Sequence, residues 1–335
     1  MATNHVVDVR NLTVAVASEG RLVPAVRDVS FSIERGQRVG LVGESGAGKS
    51  LTGLALMRLV PRPNRQLGEI IFDGLDLMSL SERDLARLRG KRIAMVYQNP
   101  LSSLNPVQTI GDQIFEAIAV HTPGIGRRDG RDRVEGLLTE VGLDMSRAYH
   151  RYPHELSGGQ RQRVIIAMAV ACEPSLLIAD EPTSALDVTT QQVIMDLLVR
   201  LVKDHKMSMV FVTHDLALAS EYCDEVMVMY AGEIVEKAAS AQLLTSPEHP
   251  YSRALVESVC TLDADPEVPL KAISGQMPGV GAVPSGCPFH PRCSFAREIC
   301  HEEEPPSITT GPAGRFARCH FVGRLHSSAE PRDRA

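Results

Sequence analysis

Residues 43–50 read GESGAGKS: a glycine, four residues, then Gly-Lys-Ser. The short apolar run 38–42 (RVGLV) leads into it. Residues 49–60 (KSLTGLALMRLV) lead out of it with apolar side chains at helical spacing, up to Pro61 and Pro63. Strand, glycine-rich turn and helix in that order are the context in which this pattern binds phosphate. The glycines let the backbone come close to a ligand, so that successive N–H groups ring a phosphate. The following helix adds its positive N-terminal end. The expected phosphate contacts are Gly43, Glu44, Ser45, Gly46, Ala47, Gly48, Lys49, Ser50 and Leu51. Lys49 is expected to reach the β- and γ-phosphates, and Ser50 to ligate Mg²⁺.

The rest of the chain agrees with a loop set between a buried strand and a helix. Residues 5–16 and 28–33 alternate as strands do. From about residue 100 to 165 the texture changes. Ile110, Ile114 and Ile118, then Val134, Leu137, Leu138 and Val141, recur at helical spacing, which predicts a helical insert. Strand-like runs return at 176–179 (LLIA), 209–212 (MVFV) and 226–229 (VMVM), with helical stretches at 191–203 and 216–222 between them. Strands alternating with helices predict an α/β fold with a mainly parallel, doubly wound sheet.

Two carboxylates, Asp180 and Glu181, close the run LLIADE at the C-terminal edge of a predicted buried strand. Ligands of open α/β sheets bind at that edge. Asp180 is placed to hold Mg²⁺, and Glu181 to orient and deprotonate an attacking water. Residues 156–160 read LSGGQ, about 20 residues earlier, just before a predicted helix. With this motif the chain resembles the ATP-binding-cassette (ABC) ATPases. Gln98 in VYQNP resembles that family's Q-loop glutamine, residues 184–187 (SALD) its D-loop, and His214 in FVTHD its switch histidine.

The resemblance implies a P-loop NTPase (RecA-like) core with a helical ABC subdomain at about 100–165. It also implies an ATPase whose two subunits pack head to tail. Each ATP would lie between the phosphate loop of one subunit and the signature residues Ser157, Gly158, Gly159 and Gln160 of the other. The catalytic residues would be Glu181, His214 and Gln98, and the Mg²⁺ ligands Ser50, Gln98 and Asp180. Many family members stack an aromatic ring on adenine from the first strand region. Val16 stands there in this chain, and no aromatic occurs between residues 1 and 30.

Beyond about residue 245 proline and glycine become frequent, and four of the seven cysteines crowd together as Cys287-x₅-Cys293-x₆-Cys300-x₁₈-Cys319. This region resembles the C-terminal extension of the oligopeptide, dipeptide and nickel importer ATPases. A small, loop-rich segment calls for a crosslink. With the resemblance, the spacing points to a [4Fe-4S] cluster on Cys287, Cys293, Cys300 and Cys319, with Zn²⁺ as the alternative. His290 and His320 are expected to be neighbours of that site. The expected organisation is an ABC ATPase domain over 1–250, a Cys-rich, loop-dominated C-terminal domain over 251–322, and a disordered tail over 323–335.

A net charge of −6 argues against a nucleic-acid partner. No apolar run reaches the 18 residues of a membrane span, and the N-terminus lacks a secretory pattern. The chain is therefore expected on the cytoplasmic side of the inner membrane, as a peripheral subunit. Its implied partners are a second ABC ATPase (a paralogue or itself), two transmembrane permease subunits and an extracytoplasmic solute-binding protein. The implied function is ATP-driven import of peptides. Nickel import is the alternative within the family, and a soluble ABC ATPase acting on ribosomes or DNA is the alternative of another class.

Overall fold

The computed structural model describes residues 4–98, 103–258, 273–311 and 314–324. In chain order its strands are β1 (His5–Ser18), β2 (Arg21–Glu34), β3 (Arg38–Val42), β4 (Asn64–Phe72), β5 (Leu75–Asp76), β6 (Ile93–Val96), β7 (Leu176–Asp180), β8 (Ser208–Thr213), β9 (Glu225–Tyr230), β10 (Glu233–Ala239), β11 (Ser307–Thr309) and β12 (Phe316–Arg318). Its helices are α1 (Lys49–Leu56), α2 (Glu82–Leu88), α3 (Ile110–Ala119), α4 (Arg127–Glu140), α5 (Met145–Ala148), α6 (Gly158–Val170), α7 (Val188–Asp204), α8 (Leu216–Tyr222), α9 (Ser240–Thr245), α10 (Pro250–Glu257) and α11 (Ile299–Glu302). The chain divides into two compact units. One comprises residues 1–7, 32–37 and 71–211, the other 8–31, 38–70 and 212–335.

In the first unit β6 and β7 pair in parallel, Ile93 opposite Leu176 through Val96 opposite Ala179. Every residue of both strands is buried, as expected of parallel strands covered on both faces. Helices α3 to α7 form the helical part. Four of the five starts are set locally by Ser, Thr or Asp at the N-cap: Thr109, Asp144, Ser157 and Asp187 each accept a backbone N–H from two or three residues on, whereas α4 starts at Gly126 without a side-chain cap. Ile110, Ile114 and Ile118 are fully buried on one stripe of α3, and Val134 and Leu138 on one stripe of α4. The helical insert expected from their spacing is thus present.

In the second unit β3 pairs in parallel with β9, Val39 opposite Glu225 through Val42 opposite Val228. The remaining strands there depart from an all-parallel sheet. β10 returns antiparallel on β9 through a two-residue turn, Ala231 and Gly232, both at positive φ (47° and 88°). β12 then pairs antiparallel with β10, and β11 with β12. The tail strands therefore extend the sheet that carries β3. β4, β5, β6, β10, β11 and β12 escaped the sequence reading because each is short or mixed in polarity.

The helix after the phosphate loop is also shorter than its apolar pattern. It ends at Leu56, four residues before the expected stop. Arg58 takes a left-handed φ of 55°, and Leu59 N–H bonds back to Leu54 O at 2.9 Å while Arg58 N–H bonds to Ala55 O at 2.9 Å. That pair of bonds is a Schellman ending, built here without the usual glycine. Residues 325–335, most of the expected disordered tail, lie outside the described residues.

Candidate functional site

The phosphate loop lies in the second unit, between β3 and α1. Two of its glycines are dictated by space and conformation. A Cβ on Gly43 would come within 2.2 Å of Met229 O. Gly48 has φ +104°, and a Cβ there would meet Ala25 O at 2.9 Å. Ala47 is fully buried, and its carbonyl accepts the Gly232 N–H at 2.9 Å. Lys49 is 5% exposed, with Nζ donating to Gly43 O at 2.8 Å and Glu44 O at 3.0 Å. A lysine curled over its own loop carbonyls is a cation kept at the loop mouth. Ser45 and Gly46 are exposed, while Glu44, Gly48, Ser50 and Leu51 are half-buried.

Tyr251 and Arg292 hold the same loop, and neither was legible as a site residue. Tyr251 Oη accepts the Glu44 N–H at 2.9 Å. Arg292 donates Nη1 and Nη2 to the two Glu44 carboxylate oxygens at 2.7 and 3.0 Å. The only local signal for Arg292 is its place in PRC, beside Cys293.

In the first unit Asp180 ends β7 and is 7% exposed. Glu181 follows at a left-handed φ of 44°, which turns the chain sharply at the strand edge. Gln98 Nε2 donates to Glu181 Oε2 at 2.8 Å, across 83 residues of sequence. Ser157 caps α6 reciprocally: Gln160 N–H donates to Ser157 Oγ at 3.3 Å, and Ser157 N–H donates to Gln160 Oε1 at 3.0 Å. Asp187 caps α7 through Thr190 N–H at 2.9 Å and Thr190 Oγ1 at 2.8 Å, and these bonds hold its carboxyl below the ordinary range. Ser157, Gly158, Gly159 and Gln160 line one open depression together with Asp187 and Thr190. Signature and D-loop thus share a surface.

His214 lies in the second unit, exposed, between β8 and α8. Of the expected site, the phosphate loop and His214 therefore belong to one unit. Gln98, the signature, Asp180 and Glu181 belong to the other. Val16 is half-buried on β1.

The four tail cysteines gather around one cavity, lined also by Phe289, Phe295 and Phe321. Burial pushes Cys287 up to about 11 and Cys293 up to about 12, and raises Cys319. Each is raised further by others of the four. His290 Nδ1 bonds with Cys287 O at 2.9 Å, and His320 Nε2 with Glu303 O at 3.0 Å, as befits neighbours of the thiols. Among the described residues no group of three or more His, Cys, Asp or Glu side chains is arranged to hold a metal ion. Neither the expected [4Fe-4S] cluster nor the Zn²⁺ alternative finds a preformed ligand set among these residues. The four thiols nonetheless line one apolar cavity. Cys172 and Cys223 stand apart from this site, while Cys260 lies outside the described residues.

Comparison with known proteins covers nearly the whole chain. Residues 26–184 match the family described as ABC transporter, and residues 235–300 match the oligopeptide/dipeptide transporter C-terminal region. A putative peptide import ATP-binding protein of Brucella ovis is 46% identical over 319 residues, covering 91% of this chain and 94% of the relative. The dipeptide transport ATP-binding protein DppD of Escherichia coli K12 is 43% identical over 316 residues, covering 94% and 96%. Among solved structures, the dimeric post-hydrolysis state of the ATP-binding cassette MJ0796 bound to ADP and Pi superposes with a TM-score of 0.62 at 29% identity. It covers 70% of this chain and 98% of the cassette. The cbiO1 protein of Clostridium perfringens, part of the ABC transporter complex cbiONQ, gives 0.63 at 26% identity, covering 73% and 92%.

Proposed function

The chain belongs to the ABC transporter ATPases, and from that premise we propose that it powers a peptide importer at the cytoplasmic face of a membrane. The names of its relatives and the match of its C-terminal region support peptide as the cargo class. Among the described residues no helix is long and apolar enough to cross a membrane. The path for the solute would come from two permease partners, with an extracytoplasmic solute-binding protein delivering it. A second ATPase subunit would complete each nucleotide site. We read residues 1–250 as the ATPase domain and 251–322 as the C-terminal region.

The observation that carries the catalytic reading is the Gln98–Glu181 hydrogen bond of 2.8 Å next to the buried Asp180. Backbone N–H groups among residues 45–51 and the Lys49 ammonium hold the β- and γ-phosphates, while the Glu44 N–H is taken by Tyr251 Oη. Ser50, Asp180 and Gln98 would hold Mg²⁺, which when bound spreads the charge of the transferring phosphoryl group. Glu181 accepts a proton from the attacking water, and the Gln98 amide keeps that carboxylate in place. His214 hydrogen-bonds the γ-phosphate. Ser157, Gly158, Gly159 and Gln160 of the opposing subunit close the site at a helix N-terminus.

The test is Glu181→Gln in the assembled transporter. ATP binding should persist while turnover falls by about 10²–10⁴-fold. Hydrolysis near the wild-type rate would remove Glu181 from this role. Cargo is tested separately, by purifying the chain from solubilised membranes and screening the co-purifying binding protein with peptides. Ribosomes or DNA as the only companions would refute the importer reading.

The four tail thiols are the proposed ligands of a [4Fe-4S] cluster, which when bound would crosslink a loop-rich segment. Cys287, Cys293, Cys300 and Cys319 are the donors, and their shared cavity supports the assignment. An iron-to-protein ratio near zero after anaerobic purification would refute it.

A further inference from the structure

Glu44 is held at every polar group it has. Its N–H donates to Tyr251 Oη at 2.9 Å. Its carbonyl accepts from Lys49 Nζ at 3.0 Å and from the Ala47 N–H at 3.2 Å. Both carboxylate oxygens accept from Arg292, at 2.7 and 3.0 Å. The side chains of Tyr251 and Arg292 come from 207 and 248 residues further along the chain. All of these residues belong to the second unit.

Arg292 is itself firmly placed. Its side chain is 3% exposed. Nε donates to Ser274 O at 2.7 Å, and the guanidinium lies over the rings of Tyr230 and Phe289 at 5.8 and 5.9 Å. Those rings and Tyr251 form one cluster, with centroids 4.7–5.3 Å apart. Arg292 ends the short 3₁₀ turn His290–Arg292, which lies between Cys287 and Cys293.

A buried guanidinium is tolerated when it is paired and its donors are satisfied, and the fork-to-carboxylate geometry does both. Two consequences reach the nucleotide. The loop backbone is pinned at Glu44 before any phosphate arrives, so its N–H groups need no reordering on binding. The Glu44 charge is also cancelled at a site meant for a polyanion, where an unpaired carboxylate would repel the ligand. We infer that Arg292 is a positioning residue for ATP, through which the cysteine-bearing C-terminal region sets the shape and charge of the phosphate loop. The inference rests on reading residues 43–51 as that loop.

The test uses the full-length chain in its assembled transporter, reading KM for MgATP against kcat, with thermal melting to establish folding. Arg292→Ala should raise KM by about tenfold or more, while kcat at saturating ATP changes by less than about threefold. Adding Glu44→Gln to that variant should recover most of the KM, because the unpaired charge is gone. Arg292→Lys, a point charge without the fork, should fall between. A folded Arg292→Ala with KM within twofold of wild type would overturn the inference. So would a double variant worse than the single one, which would mean that Arg292 only supports the fold. Tyr251→Phe keeps the ring and removes the hydroxyl. It should raise KM severalfold, and it decides the matter if Arg292→Ala does not fold, an unchanged KM there being a refutation. Lys49→Ala separates the two levels. Loss of ATP binding there with an unaffected Arg292→Ala strikes only this inference, whereas unaffected binding in Lys49→Ala strikes the phosphate-loop reading itself.

Discussion

The most exacting residues are those with no room to change. Gly43 faces Met229 O at a distance that no side chain survives. Gly43→Ala must push β3 and β9 apart at the strand end that launches the loop. We expect it to cost about 1–3 kcal/mol of stability and to abolish measurable ATP binding. Denaturant titration and equilibrium binding of a fluorescent ATP analogue check the two parts. The motif made this position legible, because its spacing alone demands glycine there. The Gln98–Glu181 bond was legible only as two roles. That the amide and the carboxylate touch, at 2.8 Å and 83 residues apart, follows from β6 and β7 pairing side by side.

At the level of elements, caps were readable and endings were not. Thr109 and Asp187 are polar residues one step before Ile110 and Val188, Ser157 stands in the LSGGQ motif with a glutamine three residues on, and each caps its helix. The end of α1 gave no such sign, since Arg58 takes the left-handed position that glycine usually fills. Its φ of 55° costs a residue with a Cβ about 1 kcal/mol. Arg58→Gly should therefore stabilise the chain by roughly 0.5–1 kcal/mol without altering ATPase activity. A denaturant midpoint that falls would show that the arginine side chain contributes more than its backbone costs. The antiparallel strands β10, β11 and β12 were hidden for a related reason. Polar residues in β10 such as Glu233 and Glu236 are buried because partners reach them, Arg27 for Glu233 and the Glu248 and His249 N–H groups for Glu236. Composition cannot announce partners so distant in sequence.

On the scale of the whole molecule, the packing of the tail makes stability depend on pH. His249 is 1% exposed, accepts the Tyr251 N–H on Nδ1 at 3.0 Å, and burial pushes it down to about 3. The folded state thus keeps it neutral while the unfolded chain takes up a proton below about 6.5. Stability is full above that value and is lost as pH falls toward 3, by about 2 kcal/mol between pH 6.5 and pH 5. Glu236, raised by burial, acts in the opposite direction, since its folded carboxyl holds its proton to higher pH than the unfolded one. His249→Asn keeps an acceptor for the Tyr251 N–H and should flatten the fall in melting temperature between pH 6.5 and 5. An unchanged slope would assign the acid sensitivity elsewhere.

Contiguous residues make one part of this chain legible: the phosphate loop, the Asp180-Glu181 strand edge, the LSGGQ helix start and the cysteine spacing. These are local because each is one turn, one strand end or one helix start, and local geometry follows from neighbours in the chain. Which distant groups complete them follows from the folded arrangement. It set Gln98 on Glu181, ran the tail into the sheet through β12 on β10, and placed Tyr251 and Arg292 on Glu44. Such pairings are chosen by burial, because a charge or N–H removed from water must find its partner wherever the fold brings one near.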